Sequence, residues 1–151
     1  MSQAGSVVVR PLRASDKPEW SRLWKAYLAF YETSRPQEIH DIYFERLIGV
    51  DPRDYNGLLA EVEGKPVGLT HYLFHRHGWS VENTCYLQDL YADPSVRGKG
   101  VGRALIEAVY AQADAAGVPS VYWLTQDFNT EARKLYDRIG VKTPFIKYSR
   151  S

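Results

Sequence analysis

The stretch Leu87-Gln88-Asp89-Leu90-Tyr91-Ala92-Asp93-Pro94-Ser95-Val96-Arg97-Gly98-Lys99-Gly100-Val101-Gly102-Arg103 decides how this chain folds. An apolar run (Tyr86, Leu87, Leu90, Tyr91, Ala92) ends at Asp93-Pro94, where proline cannot continue a strand ladder. Three glycines at alternate positions follow: Gly98, Gly100 and Gly102. Between Val101 and Ala116, apolar residues at Val101, Leu105, Ala108 and Val109 recur at helical steps, which predicts a helix. Strand, glycine loop and helix N-terminus together form an anion site. The first helical turn has unpaired N–H groups and a partial positive charge, and glycines let an anion approach the backbone. Arg97, Lys99 and Arg103 add fixed positive charge around it.

The spacing then chooses among phosphate loops. A nucleotide triphosphatase loop needs Ser or Thr directly after a Gly-Lys pair, and none follows here. A dinucleotide loop needs Gly-x-Gly-x-x-Gly near the start of a βαβ unit, whereas these glycines are evenly spaced two-thirds along the chain. What stands here is Arg-x-x-Gly-x-Gly (Arg97, Gly100, Gly102) straight after a strand.

The rest of the chain supplies the frame. Val7 to Arg10 reads as a first strand ended by Pro11, and Ser15-Asp16 with Pro18 opens a helix. Trp20, Leu23, Trp24, Tyr27, Leu28 and Tyr31 recur at three- and four-residue steps, until Ser34-Arg35-Pro36 breaks the helix. Ile39, Ile42, Tyr43, Leu47 and Ile48 predict a second helix, stopped by Asp51-Pro52. Gly57–Val62 and Pro66–Phe74 form a hairpin through Glu63-Gly64-Lys65, and Thr84–Ala92 is the next strand. After the glycine loop and its helix, closed by Gly117 and Pro119, Val121–Leu124 reads as a buried strand. A helix over Thr130–Ile139 capped by Gly140 and a last strand at Phe145–Tyr148 complete the order β-α-α-β-β-β-α-β-α-β.

A second motif then fixes the likeness. Asn129-x-x-Ala132-x-x-Leu135-Tyr136, after a strand and about 30 residues beyond the glycine loop, together with Arg97-x-x-Gly100-x-Gly102, resembles the GNAT N-acetyltransferases. The likeness covers residues 7 to 148 and is nearest the Hpa-type branch. It implies an α/β layered fold with a mixed sheet of six to seven strands, in one domain over residues 1–151. It also implies acetyl-coenzyme A as co-substrate. Gln88 departs from that branch, which often has an acidic residue there, and Leu124 stands where other branches place a glutamate base. No general base is therefore handed over by the motifs.

What the resemblance implies residue by residue is an expectation. Arg97, Gly98, Lys99, Gly100, Val101, Gly102 and Arg103 would hold the pyrophosphate. The backbone of Leu90, Tyr91 and Ala92 would pair with the pantetheine arm, if this strand parts from the Val121–Leu124 strand. Asn129 would contact the cofactor or simply cap its helix, and Arg133 would reach cofactor phosphates. Tyr136 is expected as general acid towards the thiolate. Asp89 working through water, with Leu87 and Tyr91 on its strand face, and Glu32 are the candidate bases. Tyr27, Tyr31 and Glu32 are expected to line an amine pocket.

These readings make the chain an acetyl-coenzyme A-dependent N-acetyltransferase acting on a small primary amine such as a polyamine or amino acid. A peptide lysine acetyltransferase and a non-catalytic acyl-coenzyme A sensor are the alternatives. With 19 basic and 18 acidic side chains the net charge is +1, too small a field for nucleic acid or an anionic membrane surface. His75 and His77 read as a solvated turn and not a metal site, and Cys85, the single cysteine, as a small buried residue. The N-terminus lacks a leader pattern and no run reaches transmembrane length, so a cytoplasmic protein is expected. Aromatic residues in the last strand suggest a homodimer.

Overall fold

A computed structural model of the protein describes residues 6–150. The N-terminal leader reading and the ends of the expected 1–151 domain, residues 1–5 and 151, lie outside the described residues. The elements run β1 (Val7–Pro11), α1 (Lys17–Phe30), α2 (Gln37–Ile48), β2 (Asn56–Val62), β3 (Lys65–His75), β4 (Thr84–Ala92), α3 (Val101–Ala115), β5 (Val121–Tyr122) and α4 (Thr130–Ile139).

The sheet has the order β1-β2-β3-β4-β5, antiparallel except for the parallel β4–β5 pair. Helices cover both faces because side chains alternate along each strand. On one face Leu59 and Leu69 pack beneath Trp20, Leu23 and Trp24 of α1 and Phe44 and Leu47 of α2. On the other, Leu58, Tyr72, Cys85 and Leu87 pack against Ile106, Val109 and Ala113 of α3, with Leu135 and Ile139 of α4 beside them. Among the described residues, no helix is long and apolar enough to cross a membrane.

Local chemistry explains the element ends. Arg10 forks onto both oxygens of Asp16 at 2.8 Å, and Asp16 also accepts from the Arg13 amide, which anchors β1 to the start of α1. Glu63 and Gly64 both take positive φ, the two-residue turn that matches strand twist. Gly68 lies beneath α3. A Cβ there would come within 2.8 Å of a Val101 methyl and 2.9 Å of the Tyr91 carbonyl, so only glycine lets α3 settle beside β4.

Three expectations need correction. The strand expected at Phe145–Tyr148 is absent: beyond Ile139 the described chain has no helix or strand, and Phe145, Ile146 and Tyr148 are exposed. The sheet accordingly has five strands. The strand expected over Val121–Leu124 stops at Tyr122, because Trp123 turns under α4, its ring beside those of Tyr110 and Tyr136. Gly140 ends α4 in an extended conformation and not a left-handed one; glycine is needed because a Cβ would meet the Trp123 ring at 2.9 Å.

Candidate active site

The centre of the site is a buried carboxylate. Asp89 stands on β4 opposite His71 of β3, while the next pair along the ladder is Leu87 with Tyr72. Gln88 is therefore an unpaired bulge residue. The bulge shifts the alternation: Cys85, Leu87 and Leu90 face α3, whereas Asp89 and Tyr91 turn towards α1 and α2. The expectation that Leu87 shares the Asp89 face fails for this reason.

On that face Asp89 collects three donors. The Tyr27 hydroxyl donates to Oδ1 at 2.9 Å, the Tyr43 hydroxyl to Oδ2 at 2.6 Å, and His71 Nδ1 lies 2.8 Å from Oδ2. An indole can only donate, and Trp20 Nε1–H points at His71 Nε2 at 2.9 Å. The His71 proton is thereby assigned to Nδ1, facing Asp89. Burial pushes the Asp89 carboxyl up, but the bonds from His71, Tyr43 and Tyr27 outweigh it and hold the group below the ordinary carboxylate value. The Tyr27 and Tyr43 hydroxyls are pushed up, by burial first and then by the Asp89 charge. The result is a fixed negative charge ringed by phenol.

A cleft of about 440 Å³ opens over Asp89. Tyr27 and Tyr31 line it as expected, together with Tyr43, Tyr55, Gln88, Ile39, Ile42, Arg35 and Arg46. Glu32 does not line it; at φ 56° it sits in the turn after α1 with its side chain exposed.

Tyr136 lies on α4, its ring edge-on to Trp123 at 5.5 Å between centroids. Burial, with a contribution from Tyr31, pushes its hydroxyl up to about 12. Its hydroxyl makes no hydrogen bond among the described residues.

A cofactor cradle is visible in the backbone. β5 pairs with β4 only at Cys85 and Tyr86, so the β5 side of Leu87–Ala92 is unpaired among the described residues. At the end of this open edge Gly98 and Gly100 adopt positive φ, and α3 begins at Val101. The amides of Arg97 and Lys99 are already taken by the Pro94 and Val96 carbonyls. Those of Gly98, Gly100, Val101, Gly102 and Arg103 have no backbone partner among the described residues, which leaves them for an anion. The Arg97 and Lys99 side chains are exposed, whereas the Arg103 guanidinium is bonded to Glu107. These residues fit a pyrophosphate-bearing thioester cofactor.

Asn129 and Arg133 both make local bonds. Asn129 accepts from the Ala132 amide as a helix cap, and Arg133 is bonded to the Asp127 carbonyl and carboxylate. His75 pairs with the Tyr122 hydroxyl and His77 with the Trp79 amide. Cys85 is wholly buried and burial pushes its thiol up to about 12, so it is no nucleophile. The residues that sequence reasoning missed are His71, Tyr43, Arg35 and Arg46. Only His71 left a signal, a lone histidine in the middle of an apolar strand.

Residues 20–141 match the Acetyltransferase (GNAT) family, and the chain belongs to it. It is an acyltransferase whose co-substrate is acetyl-coenzyme A. The chain is 39% identical over 146 residues to the D-amino-acid N-acetyltransferase HPA3 of Saccharomyces cerevisiae, covering 96% of this chain and 91% of that one. It is also 31% identical over 96 residues to the thialysine N-epsilon-acetyltransferase of Bos taurus, covering 58% and 56%. In fold it is similar to the aminoglycoside N-acetyltransferase AAC(6')-Iy, solved with coenzyme A, with a TM-score of 0.83, 20% identity and coverage of 100% and 99%.

Proposed function

We propose that the protein transfers the acetyl group of acetyl-coenzyme A to the primary amine of a small molecule, with both substrates bound together. The observation that carries this is the two-sided use of β4. Its bulge presents Asp89 to an aromatic cleft, while its open edge leads to the free amides of the glycine loop. A cleft of this volume suits a small molecule better than a protein surface.

When bound, acetyl-coenzyme A supplies the thioester carbon that the amine attacks. The amides of Gly98 and Gly100–Arg103 hold its pyrophosphate, and a backbone N–H of Leu90–Ala92 polarises its carbonyl. Asp89 and its tyrosines orient the acceptor's ammonium group. Held below the ordinary carboxylate value, Asp89 is a poor proton acceptor, and the ammonium proton leaves to solvent through the open cleft. The C–N bond then forms as the C–S bond breaks, and Tyr136 gives its hydroxyl proton to the sulfur. The second amine proton restores Tyr136 through solvent. The products are an amide, a free thiol and one proton.

The test is thiol release from acetyl-coenzyme A with polyamines, amino acids, aminoglycosides and a histone-tail peptide, beside direct measurement of cofactor binding. We expect turnover with a small amine. Turnover confined to the peptide, or tight binding with no turnover anywhere, would replace this reading with a protein acetyltransferase or a sensor.

We extend the proposal to a homodimer working in the cytoplasm, where Cys85 stays reduced. Supporting it, the two-residue β5 leaves a sheet edge open, and Phe145, Ile146 and Tyr148 are exposed at 79%, 77% and 88%. Sedimentation at micromolar concentration is expected to give twice the chain mass. A monomer would overturn the dimer alone.

A further inference from the structure

The chain of hydrogen bonds that starts at Asp89 does not end at His71. Trp20 and His71 are both 0% exposed, and the indole Nε1–H donates to His71 Nε2 at 2.9 Å. The indole is clamped in that direction. Its ring stacks on Trp24 at 5.9 Å between centroids and lies tilted against Phe44 at 5.1 Å, with the Tyr43 ring edge-on. The backbone at the other end of the chain is held too, since the Thr70 hydroxyl donates to the Asp89 carbonyl at 2.8 Å.

An imidazole with one proton has one donor and one acceptor, whereas the imidazolium has two donors and no acceptor. Facing an indole N–H, Nε2 has to accept. A second ring proton there would set two donors head to head at 2.9 Å in the buried core, with no other partner for either. This bears on the site because Asp89 is the one acidic side chain in the cleft lining, whose other charged groups are Arg35 and Arg46. An imidazolium 2.8 Å from Oδ2 would cancel that single negative charge. With one proton, the ring donates its bond and leaves the charge in place.

The direction of bonding continues to the cleft floor. The Tyr27 and Tyr43 hydroxyls give their protons to Asp89, so both phenol oxygens have only lone pairs left to offer. Oδ2 holds Tyr43 and His71 and Oδ1 only Tyr27, which makes Oδ1 the freer oxygen. Carboxylate and phenols together form a floor that accepts and cannot donate. An ammonium group, which is all donor, is its complement.

We infer that Trp20 is a positioning residue for acceptor binding: its N–H bars a second proton from His71 and so leaves the Asp89 charge to the acceptor's ammonium group. The inference rests on the acceptor reading of this cleft and extends it to a residue that does not line the cleft.

Two experiments test it. The first needs no acceptor: long-range nitrogen–proton spectra of protein carrying isotope-labelled histidine, recorded at about pH 6, with the His71 signals identified by their loss in His71→Gln. The wild type is expected to show a proton on Nδ1 and none on Nε2, and Trp20→Phe to show both nitrogens protonated. A proton on Nε2 in the wild type overturns the inference. The second is a cycle of acceptor KM values, taken with the polyamine, amino acid or aminoglycoside of highest kcat/KM in thiol release. Trp20→Phe is expected to raise that KM about tenfold, the scale on which a charge-assisted bond exceeds a neutral one, with the KM for acetyl-coenzyme A unchanged. In the His71→Gln background there is no ring to protonate, and the same substitution changes the acceptor KM by less than about twofold. A loss of equal size in both backgrounds is a packing effect and overturns the positioning role. Should Trp20→Phe fail to fold, benzothienylalanine in place of Trp20 keeps the bicyclic shape without the N–H, and the same outcomes apply. Absence of turnover with every amine overturns the acceptor reading and the positioning role with it, while the histidine spectra still judge the proton on their own.

Discussion

Tyr136→Phe is expected to lower kcat about 100-fold while leaving acetyl-coenzyme A affinity intact, near the lower end of what a positioned general acid contributes. The substitution is a clean probe. The hydroxyl has no hydrogen-bond partner among the described residues, so its loss removes no folding contact, and the ring keeps its edge-on contact with Trp123. The pH profile gives a second readout. Burial pushes the hydroxyl up to about 12. The acid therefore stays protonated across the whole working range, and no alkaline fall in rate traceable to Tyr136 appears below that value. The rising limb follows the acceptor's own amine, because a neutral amine is what attacks. Steady-state kinetics between pH 6 and 11, with cofactor binding measured by calorimetry, decide the matter. An unchanged kcat in the Phe variant, or a loss explained by weaker cofactor binding, would remove Tyr136 from the chemistry.

Asp89→Asn is expected to act on stability and on acceptor binding together. Replacing a buried carboxylate that holds three donors by an amide costs about 2–4 kcal/mol of unfolding free energy, since bonds to a charged acceptor weaken and one tyrosine or His71 is left poorly matched. The acceptor KM rises at least about tenfold, with little change for acetyl-coenzyme A. The pH dependence carries a definite sign. The folded Asp89 titrates below its ordinary value, so its contribution is fully present above the unfolded value near 4 and is lost as pH falls through the folded one. The stability gap between wild type and variant is therefore flat from neutral pH to about pH 5 and narrows in stronger acid. Urea unfolding at several pH values measures it. A variant as stable as the wild type at neutral pH would mean that Asp89 is not the ionised centre of this network.

Much of the fold was legible in the sequence because the decisive residues act locally. Gly98 and Gly100, read as the loop where an anion approaches the backbone, adopt the left-handed conformation that glycine permits, and Pro94 ends the strand that Leu87–Ala92 announces. The helical steps of Trp20, Leu23 and Trp24 become the buried stripe of α1. The site was legible only in part, since its geometry depends on partners far apart in sequence. Tyr43 reads as helix core from periodicity, yet its hydroxyl finds Asp89 46 residues away. Glu32 looked suited to the cleft by topology, but a single positive-φ residue turns it outward. Phe145–Tyr148 has strand composition, and composition cannot supply a neighbouring strand to pair with. The bulge at Gln88 left no mark that alternation could register, because period-two reasoning assumes that no residue is skipped.

That skipped residue divides β4 into two reading frames. Upstream of Gln88 the strand's inward positions serve the α3 core; downstream the same parity serves the cleft. Gln88 itself pairs with nothing on β3 and lines the cleft instead. Were it paired in regular alternation, Asp89 would fall on the face of Leu87 and carry a carboxylate into the hydrocarbon around Ile106 and Val109. One extra residue thus decides whether this carboxylate meets phenols or the apolar core.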